Sequence, residues 1–567
     1  MNRKLIPGVA LVAAFGLGAC SEQSLVIANP NAGETQRVLG TPDDAEALLG
    51  SYYRNWHAVL YGTGNPPGNF EGMANIMSWQ NYSSLNNNCQ NSRYPLSGAT
   101  NSNLPGNGCG SDQQRVYFGM GEVNRVASNF LSSVASGLNL GSQNRENRDK
   151  AFAEMLRGLS LGYSALFYDS AAVVSVGQAG DDAGKLADYK VVMDSAYAAF
   201  DRAIALANAP GTGDRGFPIP ADWIPSPTAF NADEFVRLIR TYRARFRANV
   251  ARNPAERAAV NWALVIADAQ NGIKSDHLNT TNVTNGPGGG WRRTYDGGST
   301  WHQMPPFFIG MGDVSGNYEA WLKTPMDSRG AGNVGFFMVT PDLRFPQGTT
   351  RAAQQADFKI QDCEIAATVC KRYFTNRPNG SDQYTGNGWG WSNYDFNRFH
   401  SWVLKGDAGT ARNGNLVFFT KAELDMLQAE GLIRTNRLAE AAALINVTRT
   451  KNGLPAITDF SATAAVPGGT NCVPRVPQLP NAQTTACGNM MEAMKWEKRM
   501  ETAYTSFAPW YLDGRGWGDL AENTPVFWAV PYQDLQARGY AISAIYGAGS
   551  GPGNAPGSAA GKSTYGW

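Results

Sequence analysis

Trp79 with Tyr82, Trp291 with Tyr295 and Trp301, Trp321, and the dense set Tyr384, Trp389, Trp391 and Tyr394 are the residues of this 567-residue chain whose types could do chemistry. Trp79 and Tyr82 sit in the first long loop-rich stretch, and the others follow the middle helices in the region dominated by Gly, Asn, Trp and Tyr. A flat ring offers an apolar face to the C–H groups of a pyranose. Neighbouring Asn and Asp side chains can take its hydroxyls, the combination of apolar wall and few convergent polar groups that small-ligand pockets use. Each ring also has a plainer role, pinning an irregular loop to a packed layer. For the set as a whole, at least two rings are expected to face a ligand.

Signatures of other chemistry are missing. The sequence contains no G-x-S-x-G elbow, no H-E-x-x-H helix and no phosphate-binding loop. The 4 histidines (His57, His277, His302, His400) are too scattered for a metal site, and no EF-type calcium loop occurs. No cofactor or metal is expected. Asp382, Asp395 and Asp407 lie among the aromatic stretches, so a carboxylate pair for glycoside hydrolysis stays open, although loop acids more often cap turns. A net charge of +1 without a Lys/Arg run argues against a nucleic-acid partner.

Of the 7 cysteines, six remain once Cys20 is set aside (7 − 1), and they form near neighbours: Cys89 with Cys109, Cys363 with Cys370, Cys472 with Cys487. No C-x-x-C occurs and no histidine is close, so local disulfides are preferred to metal binding. A bridge closing a loop of about 15 residues contributes roughly 3 kcal/mol in the chain-entropy model.

The elements that must position these residues are helices. Thr41-Pro42-Asp43-Asp44 is a helix start, with a Thr cap, Pro in the first turn and acids behind it; that helix is expected to run to about Tyr61. Residues 62–112 read as loop-rich. Helical periodicity resumes at Gln113–Val134, Glu146–Asp169 and Ala187–Ala207. Phe235, Leu238, Tyr242 and Phe246 mark another helix. Asn253-Pro254 then turns the chain into a partner through Val260, Leu264 and Ala267. Residues 280–415 lose long helices and gain Gly, Asn, Trp and Tyr. A helix pair returns at Val417–Arg434 and Arg437–Lys451, ended by Gly453, and Met490–Tyr504 is a further helix. Repeated hairpins with small residues at the crossings suggest tetratricopeptide-like stacking.

At the N-terminus, Arg3 and Lys4 precede an apolar run from Leu5 to Leu17, too short to span a bilayer. Gly18 and Ala19 followed by Cys20 resemble the bacterial lipobox, which implies an acylated Cys20 as the mature N-terminus. Acyl chains contribute about 0.8 kcal/mol per buried CH₂ and would anchor the chain to a membrane.

Several ordered motifs resemble the SusD/RagB lipoproteins. Ala429-Glu430-Gly431, Leu438-Ala439-Glu440-Ala441 and Ile445-Asn446 through Arg449 to Gly453-Leu454 match that family's late helix pair in spacing, with Thr448 and Lys451-Asn452 departing from its usual residues. Glu497-x-Arg499-x-Glu501, Arg515-x-Trp517-Gly518-Asp519-Leu520 and Val530-Pro531-x-x-x-Leu535 resemble its close, with Asp513-Gly514 near its usual EG and Asp534 at its usual Glu. Upstream, Glu154-Met155-Leu156-Arg157, Tyr242-Arg243-Ala244-Arg245 and Asp342-Leu343-Arg344 fit as well. These acids and bases read as structural ties, with Arg449, Glu497, Arg499 and Arg515 the expected ion-pair members.

The resemblance implies a mainly α, SusD/RagB-like fold: signal peptide 1–19, lipid-anchored tether 20–40, one domain over 41–545, and a flexible tail 546–567. Within the domain, helix pairs occupy 41–279 and 416–504, and a loop-rich ligand-side region occupies 280–415. It implies a non-enzymatic, palmitate-bearing protein of the outer membrane that binds a nutrient, most commonly an oligosaccharide. Its partner would be a SusC-like TonB-dependent transporter. A lipid-anchored hydrolase and a purely structural helical scaffold are the alternatives.

Overall fold

The computed structural model describes residues 39–61, 70–83, 103, 105–106, 110–178, 182–281, 302–325, 328–329, 336–359, 370–377, 392–396, 398, 414–522, 524–540 and 561–567. Cys20, Cys89, Cys109, Trp291, Tyr295, Trp301, Cys363, Tyr384, Trp389 and Trp391 lie outside the described residues, as do the leader and residues 541–560.

The first helices are α1 (Pro42–Tyr61), α2 (Phe70–Met77), α3 (Gly110–Ala135), α4 (Gln143–Phe167), α5 (Tyr189–Ala207), α6 (Ala232–Asn249), α7 (Pro254–Ala258) and α8 (Trp262–Gln270). Three short helices follow: α9 (Pro306–Ile309), α10 (Asn317–Lys323) and α11 (Arg351–Asp357). The last are α12 (Lys421–Arg434), α13 (Leu438–Lys451), α14 (Met490–Thr502), α15 (Pro509–Trp517) and α16 (Tyr532–Ala537). Side-chain caps set several helix starts. Ser142, Asp188, Thr420 and Asn489 each accept a backbone N–H of the first turn, and Asn231 with Glu234 forms a complete capping box.

The long helices pack as a continuous array, α1 on α3, α3 on α4, α4 on α5, α5 on α6, α6 on α8, α8 on α12, and α12 and α13 on α14. Spatial order therefore follows chain order across the 280–415 excursion, as stacked helix hairpins require. Helix α4 is the central member, buried without interruption from Ala151 to Phe167. Two glycines allow its neighbours in: a Cβ on Gly158 would stand 2.4 Å from the Phe200 ring of α5, and one on Gly162 would stand 2.0 Å from the Phe246 ring of α6.

Four boundaries differ from the sequence reading. Helix α2 lies inside the stretch read as loop; all eight of its residues are buried, and at two turns it is too short for the Glu71–Asn75 spacing to stand out as a helical period. The expected helix from Asn253 is split, because Asn261 caps a new start by accepting the Leu264 N–H. Val417–Phe419 belong to a strand, β-branched and aromatic, and the helix begins only after Thr420. In the tail read as flexible, residues 561–567 are ordered, with Tyr565 and Trp567 buried.

Ten short strands form five antiparallel two-stranded ladders among the described residues: β1 (Tyr82–Ser83) with β5 (His302–Gln303), β2 (Ser170–Ala172) with β3 (Leu186–Asp188), β4 (His277–Thr281) with β8 (Gly414–Phe419), β6 (Phe374–Asn376) with β7 (Tyr394–Phe396), and β9 (Arg475–Pro477) with β10 (Thr485–Cys487). One apolar core lies between the helices of the array. A second lies between α14–α15 and the 302–396 region, built from rings such as Phe307, Phe308, Phe345, Trp496, Trp510 and Trp567.

Candidate functional site

The β4–β8 ladder is the neck of the loop-rich region. Its register runs from His277↔Phe419 to Thr281↔Gly414, so the chain leaves the helical array and re-enters it at one place. Those ends coincide with the 280–415 boundaries read from composition. Within the excursion, β5 pairs with β1, placing Tyr82 opposite Gln303 and Ser83 opposite His302. Asn376↔Tyr394 closes the β6–β7 ladder around the segment that carries Tyr384, Trp389 and Trp391. The two ladders meet: the Met304 N–H donates to the Tyr394 carbonyl at 3.0 Å, and the Ser392 hydroxyl donates to the Met304 carbonyl. Trp301 and Trp391 immediately precede, in sequence, the strand β5 and Ser392. The three aromatic stretches thus spring from a common base.

Charge holds that base to the helical array. Arg344 is fully buried and pairs with Asp342 (2.7 Å), Glu497 (2.9 Å) and Glu501 (3.3 Å). Arg398 reaches Glu501 at 3.0 Å, and the Tyr373 hydroxyl donates to the same carboxylate at 3.1 Å. Burial raises the Glu497 carboxyl and the facing Arg344 opposes that rise. Three residues of the excursion are therefore locked onto one face of α14. Of the expected ion-pair members, Glu497 pairs with Arg344 and, at 3.8 Å, with Arg449, and Arg499 pairs with Asp519. Arg515 corrects the expectation. Its guanidinium donates to the backbone carbonyls of Leu166, Val526 and Asn249 at 2.6–2.8 Å, joining α4, α6 and the 526 segment.

Of the candidate aromatic residues, those with described side chains are core. Trp79 is 0 % exposed and stacks on Phe307 with centroids 3.9 Å apart. Trp321 meets the same Phe307 edge-on at 5.0 Å and lies under the Arg329 guanidinium at 4.1 Å. Tyr394 is buried, accepts the Met338 N–H at 3.2 Å and donates to Gln354 Oε1 at 2.7 Å; burial pushes its hydroxyl well above the usual tyrosine range. As placed, these three brace the base and offer no free ring face. Tyr82 is described through its backbone alone.

Sequence reasoning missed the amides beside them. Gln80 and Asn81, between Trp79 and Tyr82, are 0 % and 2 % exposed. Both amide atoms of Gln80, and the Oδ1 atoms of Asn81 and Asn75, have no hydrogen-bond partner among the described residues; the same holds for both amide atoms of Asn279 on β4. Trp79 itself has a φ of +59°, uncommon for a bulky residue. A buried polar group without a partner costs on the order of 1–3 kcal/mol. Its persistence asks for an explanation such as a bound group, and a neutral amide supplies one donor and one acceptor surface, the complement of a hydroxyl. The readable signal was the string Trp79-Gln80-Asn81-Tyr82 itself.

Cys472 and Cys487 are bridged, with Cα atoms 5.7 Å apart, across the β9–β10 hairpin, and Cys370 is disulfide-bonded. Asp395 faces Arg377 at 3.4 Å, while Asp382 and Asp407 lie outside the described residues. Burial lowers His277 to about 4, so it is neutral and apolar in role. Among the described residues no group of three His, Cys, Asp or Glu could hold a metal ion, and no helix is long and apolar enough to cross a membrane.

A helical array with a braced, aromatic excursion on one neck defines a class of fold. That class is the SusD-like one. A SusD homolog from Parabacteroides distasonis superposes with a TM-score of 0.54 at 13% identity, covering 91% of this chain and 97% of that one. A SusD superfamily protein from Bacteroides thetaiotaomicron matches with a TM-score of 0.47 at 14% identity, over 88% of this chain and 96% of the other. A SusD-like carbohydrate binding protein from Bacteroides vulgatus matches at 0.41 and 14%, over 82% and 81%. No protein-family model matches the sequence, and no curated relative does. The chain has the mainly α SusD/RagB fold.

Proposed function

We propose that this chain is a non-enzymatic, lipid-anchored protein of the outer membrane that captures a glycan on its aromatic excursion and passes it to a SusC-like TonB-dependent transporter. The observation that carries the reading is the common base. Segments bearing Trp301, Trp389 and Trp391 adjoin, in sequence, two joined ladders, beside buried amides that lack partners among the described residues. Rings for pyranose faces and neutral amides for hydroxyls are the two halves of sugar recognition. The SusD-like fold and the lipobox-like Leu17-Gly18-Ala19-Cys20 support the anchored, partner-dependent setting.

Calorimetric titration of the purified chain with a panel of neutral oligosaccharides tests the capture step. Binding is expected, and Trp389→Ala with Trp391→Ala should weaken it at least tenfold. Affinity purification from membranes should bring down a TonB-dependent barrel, and Cys20→Ala should release the chain from the membrane fraction. A chain that binds no oligosaccharide and brings down no barrel refutes the reading.

A further inference from the structure

Residues 547–560 contain only Gly, Ala, Ser, Pro and Asn, a composition without the large apolar side chains that build a core. Beyond them, Ser563, Tyr565 and Trp567 are buried, while Lys562 and Thr564 are exposed. The segment is a closed turn. The Gly566 N–H donates to the Ser563 carbonyl at 2.9 Å, and the Ser563 N–H donates to the Trp567 carbonyl at 2.7 Å. The Ser563 hydroxyl accepts the N–H groups of Tyr565 and Trp567, both at 3.2 Å. A peptide that satisfies its own backbone in this way loses less freedom on binding.

The turn sits in a cleft with three walls. At the end of α15, the Thr564 N–H donates to the Gly518 carbonyl at 2.9 Å, and the Glu522 N–H donates to the Trp567 carbonyl at 3.3 Å. On α14, Glu492 accepts the Tyr565 hydroxyl at 2.6 Å, and Lys495 donates to the same oxygen at 3.4 Å. On α9, the rings of Phe307 and Phe308 stand 5.2 and 6.0 Å from that of Trp567. Gly566, with a φ of +91°, approaches the β9–β10 hairpin so closely that a Cβ would lie 2.8 Å from Ala482. The floor beneath is charged. Lys495 pairs with Asp519 at 3.1 Å and Glu492 at 3.0 Å, and Arg499 pairs with Asp519. Those pairs are complete without the segment, so the floor can meet water when the segment leaves. Permanent interfaces are more apolar than this.

We infer that this cleft is a peptide-binding site and that residues 561–567 are its tethered ligand, seated in cis and exchangeable with the same peptide in trans. Three features select the ligand: the Tyr565 hydroxyl on Glu492, the Trp567 ring against Phe307 and Phe308, and a glycine between the two rings.

A recognition sequence for a site-specific protease, inserted between Gly551 and Pro552, allows the folded full chain to be cut. Exhaustive dialysis should then remove the fragment that carries 561–567 and leave the circular dichroism of the remainder unchanged. Synthetic peptide Gly561–Trp567, labelled with fluorescein at its N-terminus beside the exposed Lys562, should bind the depleted chain in the micromolar range. Fluorescence anisotropy without any sugar present reads this directly. In the uncut chain the tethered copy competes at an effective concentration on the order of millimolar, so the apparent Kd of the labelled peptide should be about a hundredfold higher. The Trp567→Ala peptide should bind at least about tenfold more weakly, as for a buried aromatic anchor. The Gly566→Ala peptide should also weaken, through its Cβ against Ala482. A fragment retained through dialysis, or a chain unfolded by cutting, makes 561–567 a fixed part of the core and overturns the inference. So does a labelled peptide that the depleted chain fails to bind, that binds cut and uncut chain alike, or that binds equally well with Trp567→Ala.

Discussion

Asp169 is 3 % exposed, with Oδ1 accepting the Val530 N–H at 3.2 Å and Oδ2 unpartnered among the described residues. Burial raises its carboxyl to about 7, against the opposing pull of Arg252. A raised carboxyl binds its proton more tightly in the folded chain than in the unfolded one. Its contribution is complete below the unfolded value near 4 and is lost as pH rises through about 7. Over a window of three pH units the loss has an upper bound on the order of 4 kcal/mol. Asp149, raised by burial and by its neighbour Glu46, acts in the same direction. Thermal melts from pH 5 to 8 should therefore show declining stability, and Asp169→Asn should remove part of that slope; an unchanged slope would contradict the assignment. At this scale the sequence was half legible. Acid and base types at Asp342, Arg344, Glu497 and Glu501 announced structural pairs, but which acid meets which base depends on contacts 153 and 157 residues apart that only the fold supplies. Arg515 misled for a related reason: a guanidinium has five donors, and three backbone carbonyls occupy both of its terminal nitrogens without an acid.

Among the elements, α4 decides how closely the array can stack. Gly158 and Gly162 face α5 and α6, and the ring of Phe246 occupies the space a Cβ at 162 would need. Gly→Ala within a helix gains about 1 kcal/mol of propensity, whereas overpacking a filled interface costs about 1–3 kcal/mol. The second effect should win here. Gly162→Ala is expected to lower the denaturant midpoint, while Gly121→Ala on α3, where a Cβ would meet nothing within 4 Å, should hold or raise it. Equal shifts in the two variants would mean that propensity, not contact, sets the outcome. Element types were readable wherever a helix is long enough to repeat its period and carries a cap, as α5, α6 and α14 do. They were unreadable where the helix is only eight residues, as in α2, or where a strand runs directly into a helix, as β8 does at Val417–Phe419.

The whole molecule separates a load-carrying base from the segments it presents. Both ends of the 280–415 excursion are held by the β4–β8 neck. Its middle is tied to α14 through Arg344, Tyr373 and Arg398. The chain's last described residues close the second core, with Trp567 against Phe307 at 5.2 Å and Tyr565 donating to Glu492 at 2.6 Å. Composition revealed where the excursion begins and ends; it could not reveal that Trp79, Trp321 and Tyr394 are spent on the base, because a ring's role depends on which side of the core it meets. That division makes a prediction about residues 378–391, which stand between Arg377 and Ser392. The Arg377 N–H donates to the Asn393 carbonyl at 2.9 Å, so the ladder is closed before the segment begins. Replacing residues 378–391 by an Asn-Gly turn keeps every described ladder bond and the buried Tyr394. Thermal unfolding should then stay within about 1 kcal/mol of the parent, the range of ordinary surface changes plus a new turn, while oligosaccharide binding by calorimetry is lost. Retained binding would move the glycan site away from Tyr384, Trp389 and Trp391. Loss of folding would show that these rings belong to the base with Trp79 and Trp321, and the division between base and presented segment would have to be redrawn.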